Sequence, residues 1–285
     1  MNIIKPFMLE NGLIRGSFIS ADGAIEQMLE NHNYPTVVRR YLAQVAVLAL
    51  ALSAGIKYDG VFSLQIKGNG PISTLFCDVT TDYKIRGYAV YDNERLTGDL
   101  SDLNEAIGTG QMLFSVAQIG QEPYQGVVAL TGHTLTDTVK DYFKLSEQIN
   151  TDIVLRQQGE ATRLIMIQQM PTLGGDTKEG AIDAEKQADI WETACVLLES
   201  VKDIELFSDK LKPDEILFRL FHANELTIFP DNLPSFECRC YRDKMYGFLK
   251  RLTPAERETL YQDGKITAGC QFCNEQYIFV REDFE

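Results

Sequence analysis

Cys238-Arg239-Cys240 and Cys270-Gln271-Phe272-Cys273 place four of the six cysteines in a CxC and a CxxC near the end of the chain. Twenty-nine residues, Tyr241 through Gly269, separate the two pairs. Two close pairs far apart in sequence are what a tetrahedral thiolate site needs, because each pair supplies two ligands from one turn. Zn²⁺ binds four thiolates at about 2.3 Å, and a closed Cys₄ shell is typical of structural zinc. Soft sulfur also suits iron–sulfur clusters, so zinc is favoured rather than singled out. The CxC half is unusual, since most zinc ribbons use two CxxC knuckles. Cysteines at i and i+2 can also close a small, strained disulfide, and strained disulfides are the labile, regulatory ones. On spacing alone, a permanently reduced zinc ribbon comes first and a redox switch second.

The other chemistry-bearing residues read as structural. Cys77 lies in a strand and Cys195 beside an apolar helical stripe, where a free cysteine behaves as a small buried hydrophobe. His32, His133 and His222 share no motif with a serine or cysteine nucleophile. His222 precedes the cysteine module, but four thiolates already complete a tetrahedron, so a helix-end role is expected of it. Gly108-Thr109-Gly110 is a lone GxG without the continuation a dinucleotide loop requires. Gly174-Gly175 reads as a turn. No enzymatic constellation emerges.

The elements that must position the cysteines follow from periodicity. Gly12 to Ser20 reads as a strand. Thr36 to Ala54 is a helix apolar almost all round, which marks a buried core helix, and Gly55 ends it. The most apolar run, Val45 to Leu52, is too short for a bilayer span of about 20 residues. Strands are expected over Val61–Lys67, Ile72–Thr80, Lys84–Tyr91, Gln111–Ala117 and Val127–Leu130, with a turn at Gly68-Asn69-Gly70-Pro71. Leu135 to Gln148 reads as an amphipathic helix. Ile153–Gln157 and Thr162–Met170 read as a hairpin about Gly159.

The pattern breaks at Pro171 to Gly175. A polar stretch, Asp176 to Ala188, precedes two short helices, one through Ile190, Ala194, Leu198 and Val201 and one starting at Pro213. Neither is long enough to stand without tertiary support. Trp191 is expected to pack the first against the main domain. The end module holds helices over Tyr241–Leu252 and, from the capping box Thr253-Pro254-Ala255-Glu256, to Gln262. Lys265–Ala268 and Tyr277–Val280 read as strands around the CxxC. So small a module needs its metal to fold.

With 285 residues, 45% of them hydrophobic, the chain can hold one large domain and a small one. Its net charge is −14, which repels a polyanion. The end module, 231–285, carries eight Lys/Arg against ten Asp/Glu, so the alternative of a zinc-ribbon nucleic-acid binder lacks a basic face. No cationic and apolar leader is apparent at the start. The acidic balance suits a cytoplasmic protein.

The cysteine motifs and their flanks, Gly264-Lys265-Ile266-Thr267 before Cys270-Gln271-Phe272-Cys273-Asn274 with Tyr277 and Phe279, closely resemble the heat-shock protein 33 family. So do Tyr58-Asp59-Gly60, Leu64 to Pro71, Arg86-Gly87-Tyr88, Tyr124 to Val128, Tyr142-Phe143 with Ser146 to Ile149, and Arg219 to His222. The match runs in order along nearly the whole chain. Cys77 and Cys195 lie outside the family's cysteine motif.

The resemblance implies an α+β N-terminal domain (1–175) with mixed or antiparallel sheets and a buried helix. A metastable helical linker (176–233) and a small Cys₄ zinc domain (234–285) follow. It implies a redox-regulated, ATP-independent holdase of the bacterial cytosol, not an enzyme. In the reduced, inactive form Cys238, Cys240, Cys270 and Cys273 would hold one Zn²⁺. Oxidation would form disulfides between near neighbours, release the zinc and unfold the linker. The active form would be a homodimer that binds unfolding client proteins, with no nucleic acid or membrane partner.

Overall fold

A computed structural model describes residues 1–98, 100–118, 120–171 and 184–284. Its first part runs β1 (Asn2–Leu9), β2 (Ile14–Ala21), α1 (Asp22–Glu30), α2 (Thr36–Ala54), β3 (Gly60–Gly68), β4 (Ile72–Thr80), β5 (Lys84–Tyr91), α3 (Leu103–Ala106), β6 (Gly110–Gln118), β7 (Tyr124–Ala129), α4 (Leu135–Tyr142), β8 (Thr151–Gln158) and β9 (Ala161–Gln169). Its second part runs α5 (Ala184–Glu199), α6 (Asp203–Leu206), α7 (Pro213–Phe221), β10 (Thr227–Ile228), β11 (Ser235–Phe236), α8 (Arg242–Arg251), α9 (Pro254–Thr259), β12 (Lys265–Gly269) and β13 (Gln276–Val280). The expected turn at Gly174-Gly175, the start of the polar stretch and the boundary after residue 175 lie outside the described residues.

Helix α2 is apolar all round because it has a sheet on each side. It touches β1, β2 and β9 on one face and β3, β4 and β5 on the other. Val38, Leu42, Val45, Leu48 and Leu50 are fully enclosed there. By length and composition this helix could cross a membrane, but here it is the centre of the core. The five-stranded sheet has the order β10-β1-β2-β9-β8 and the six-stranded sheet β11-β5-β4-β3-β6-β7. Neighbours are antiparallel except β11, which runs parallel to β5. The α+β class with mixed and antiparallel sheets and a buried helix is therefore the observed one.

Several expectations need correction. Strand β1 was not anticipated, because Pro6 interrupts an already short apolar run. It is tolerated because only its carbonyl is required, accepting from Phe229 N–H at 3.0 Å. Helix α1 was missed too. Leu135–Gln148 is not one α-helix: α4 ends at Tyr142, and a wider π turn over Phe143–Glu147 follows. Gln148, at φ 55°, terminates it in the left-handed region.

The outer face of the five-stranded sheet has a separate core. Phe7, Leu9, Ile14, Phe18, Val154, Ile165 and Ile167 pack there against α5, α6 and α7. Those helices contribute Ala194, Leu198, Leu206, Ile216, Leu217, Leu220 and Phe221, and the link between α5 and α6 adds Val201. The stripes at helical spacing thus become one layer laid over a sheet face.

Candidate metal centre and its docking surface

The end module is built on a hairpin. Strands β12 and β13 pair antiparallel with Ile266 opposite Phe279. Leu249 of α8 joins these two in a core of only three fully buried hydrophobic residues. The CxxC occupies the hairpin turn, where Cys270 N–H donates to Glu275 O at 2.9 Å and Asn274 N–H to Cys270 O at 2.8 Å. Asn274 takes φ 59° there, a conformation asparagine tolerates. The CxC follows directly from β11, whose pairing with β5 fixes where Cys238 begins.

The structure brings all four sequence-selected cysteines together, with their Sγ atoms within 4.8 Å of one another. Cys238 Sγ lies 3.3 Å from Cys240 Sγ and 3.7 Å from Cys270 Sγ, and Cys240 Sγ lies 3.4 Å from Cys273 Sγ. A tetrahedron with arms of about 2.3 Å has edges of about 3.8 Å, so this donor set fits a four-thiolate metal. The sulfurs cannot share charge freely without a cation. Burial pushes the Cys238 thiol up to about 11, and burial also raises Cys273. At Cys240 burial opposes ionisation, yet hydrogen bonds from Tyr277 Oη (3.2 Å) and from the neighbouring thiols outweigh it and bring the thiol down. Burial thus keeps Cys238 and Cys273 protonated while Cys240 is favoured as a thiolate, and a divalent cation bound by all four would offset that burial.

The residues between the cysteines dock this cluster on the outer face of the six-stranded sheet. Strands β4 and β5 point Leu75, Cys77, Val79 and Ile85 into the main core. The alternate positions Phe76, Asp78, Arg86 and Tyr88 face outward. The Phe272 ring meets Phe76 and Tyr88 edge-on, at 5.8 and 5.2 Å between centroids. The Arg86 guanidinium lies 4.0 Å from the centre of the same ring. Arg239 forms an ion pair with Asp78, which is 2% exposed and also paired with Arg86 at 2.9 Å. Asn274 Nδ2 donates to Asn31 O at 3.1 Å, and the His32 ring meets Phe272 O at 3.3 Å.

Sequence reasoning missed these positions. Phe272→Ala removes two aromatic contacts and a cation–π contact, together on the order of 2–3 kcal/mol. It is expected to speed hydrogen exchange across 234–284 in the reduced protein while leaving the ratio of any bound metal to protein unchanged. Unchanged exchange would mean that Phe272 does not hold the module.

The remaining cysteines and histidines stand apart. Cys77 is fully buried in the main core. Cys195 is only half-buried, a correction to the buried reading, because α5 is solvated along its outer side. Trp191 packs against the second core as expected. His222 ends α7 with its ring near Phe218 and takes no part in the cysteine group. His133 pairs with Asp102 at 2.8 Å. Gly108, at φ 72°, makes a turn whose Cβ position is filled by Asn69 Oδ1, leaving no cradle for a phosphate.

Burial, with help from Asp152 and Glu199, pushes the Cys195 thiol up from 9.0 to about 12. The folded state then holds this proton more tightly than the unfolded one. Its contribution to stability is complete below pH 9.0 and is lost as pH rises towards about 12. At pH 8, iodoacetamide is expected to label Cys195 on the order of a hundredfold more slowly in the folded protein than after α5 unfolds. Equal rates, read by peptide mass spectrometry, would show that the thiol is not protected.

A family model described as Hsp33 protein matches residues 2–280. The protein named 33 kDa chaperonin from Photorhabdus laumondii is 33% identical over 285 residues, covering 98% of this chain and 93% of its own. The same-named protein from Escherichia coli O7:K1 is 31% identical over 284 residues, covering 98% and 92%. Among solved structures, the 33 kDa chaperonin (Hsp33 homologue) of Thermotoga maritima superposes with a TM-score of 0.83 at 20% identity, covering 99% of this chain and 96% of that one. At that identity the likeness concerns the fold.

Proposed function

The chain belongs to the Hsp33 chaperone family, and on that premise we propose that it is a redox-regulated, ATP-independent holdase. Its three working units would be 1–175, a linker at 176–233 and a redox module at 234–285. Cys238, Cys240, Cys270 and Cys273 would hold one Zn²⁺ in the reduced, inactive form, where the ion supplies most of the module's folding free energy. That assignment is supported by the sulfur spacings and by a module core of three buried residues, too small to fold alone.

Activation removes the ligands. A pair of thiolates gives two electrons to peroxide, which is reduced to water, and the two sulfurs join. Cys238 with Cys240 and Cys270 with Cys273 are the near-neighbour pairs. With both disulfides formed, no thiolate remains to hold the module together. Its contacts with Asp78, Phe76 and Tyr88 are then lost, and so is β11 at the edge of the six-stranded sheet. The linker runs between β9 and this module, tied to the edge of the five-stranded sheet by β10.

The observation that carries the reading is the second core. Helices α5–α7 cover Phe7, Leu9, Ile14, Phe18, Val154, Ile165 and Ile167, so an unfolded linker uncovers a continuous apolar sheet face and frees its own stripes. Exposed apolar surface of this kind captures unfolding proteins. The active form would be a homodimer, and the chain would work in the cytoplasm, without nucleic acid, membrane or catalytic step.

The test is made on one preparation. Zinc, free thiols and suppression of aggregation of a heat-unfolded client are measured before and after peroxide at elevated temperature. The expected result is release of about one zinc per chain, loss of four thiols, and suppression only afterwards. Equal suppression by the reduced, zinc-loaded protein and the oxidised protein would sink the switch.

A further inference from the structure

A cavity of about 440 Å³ lies between the end of α2 and the five-stranded sheet, with Phe229 of the linker on one side. That volume is in the range of small-molecule sites. Its walls are apolar, formed by Met8, Ala54, Met166 and Phe229.

The polar groups in the cavity share one character. Arg15 and Lys57 line it with no acidic residue among the lining, and neither makes an ion pair among the described residues. The Arg15 guanidinium donates only to neutral oxygens, to Gly55 O at 2.7 Å and to Gln168 Oε1 at 2.8 and 3.1 Å. The end of α2 supplies partial negative charge, but no carboxylate among the described residues neutralises this partly buried cation. The Ser17 hydroxyl, on a residue 5% exposed, lines the same cavity and has no hydrogen-bond partner. Buried hydroxyls are nearly always satisfied, so an unpartnered one on a residue that borders the cavity marks a missing acceptor beside it. Lys57 is exposed at the mouth.

We propose that this cavity binds a small amphipathic monocarboxylate, its carboxylate between Arg15, Ser17 and Lys57 and its short alkyl chain against Met8, Ala54, Met166 and Phe229. The charge on the walls selects an anion, and the apolar lining selects a tail. An acid accepts from the Ser17 hydroxyl and from the two guanidinium N–H groups that Gly55 and Gln168 leave free. An amine of the same length meets two cations, and an alcohol leaves them unneutralised.

The probe is octanoate, titrated by calorimetry into the full-length, reduced, zinc-loaded protein below its micellar range. Saturable binding at one site per chain is expected, with octanol and octylamine at least about tenfold weaker. Ala54→Leu fills the apolar wall and keeps every polar group, so it is expected to weaken octanoate about tenfold. Ser17→Ala removes the orphan hydroxyl. It is expected to weaken octanoate severalfold while leaving the unliganded melting temperature unchanged or higher, an outcome a purely structural serine would not couple to binding. Octanol binding as tightly as octanoate, affinity unchanged in Ala54→Leu, or binding that does not saturate would each overturn the proposal.

Discussion

Peroxide treatment just below the melting temperature is expected to open amides in 184–230 and 234–284 to hydrogen exchange while β2–β6 and α2 stay protected. The ordering follows from where the free energy sits. The main core is continuous around α2, and none of its fully buried residues lies in the cysteine module. The module has Leu249, Ile266 and Phe279 as its fully buried hydrophobics, against metal-site free energies of about 10–16 kcal/mol. Once its thiolates are paired it cannot persist, and β11 goes with it because its two residues pair only with β5.

The linker should follow. Its longest helix, α5, has 16 residues, while α6 has 4 and α7 has 9, so none is stable far from its support. The exchange should rise in the module at least as early as in the linker. A linker that opens while the module and its zinc remain intact would reverse the proposed order of events.

How much of this was legible in the sequence depends on the kind of signal. The thiolate pairs were, because ligand chemistry depends on residue type at fixed spacing. Helix α2 and strands β4 and β5 were legible to the residue: α2 is an unbroken apolar run between Pro35 and Gly55, β4 starts directly after Pro71, and β5 alternates between core and outward positions. Phe272 and Arg239 were not. One or two residues between cysteines carry no period, and their partners are set by the register of two strands about 160–200 positions earlier.

A fainter signal did exist. Phe76, Asp78, Arg86 and Tyr88 alternate with core positions, so aromatic and charged residues share a face that would otherwise meet water. Such a face invites a covering layer. Strand β1 was hidden for a different reason. Pro6 marks a weak strand in isolation, and only pairing with β2 along its whole length makes it a strand. The Ser17 cavity was illegible altogether, since it is defined by what fails to fill the space between α2 and the sheet.

Phe221→Asp is expected to make the reduced protein suppress client aggregation almost as well as the oxidised wild type. Phe221 is fully buried and stacks on Phe7 with 5.6 Å between ring centroids. A carboxylate there is an unpaired buried charge, costing several kcal/mol. The loss of aromatic packing adds on the order of 3–5 kcal/mol. The nine-residue α7 has no comparable reserve, so the linker should leave the sheet without any change at the cysteines.

The variant should therefore keep about one zinc and its full complement of thiols. The emission of Trp191, packed in the same layer, should shift to the red. Protected amides in α2 and β2–β6 would show that the main domain has folded. Phe218→Asp is the matched control, because Phe218 lies on the same helix but is 61% exposed; it should leave the protein inactive until oxidised. If Phe221→Asp frees the linker and the protein still fails to hold a client, the sheet face beneath α5–α7 is not the client surface. The apolar surface that oxidation exposes would then have to lie in the cysteine module itself.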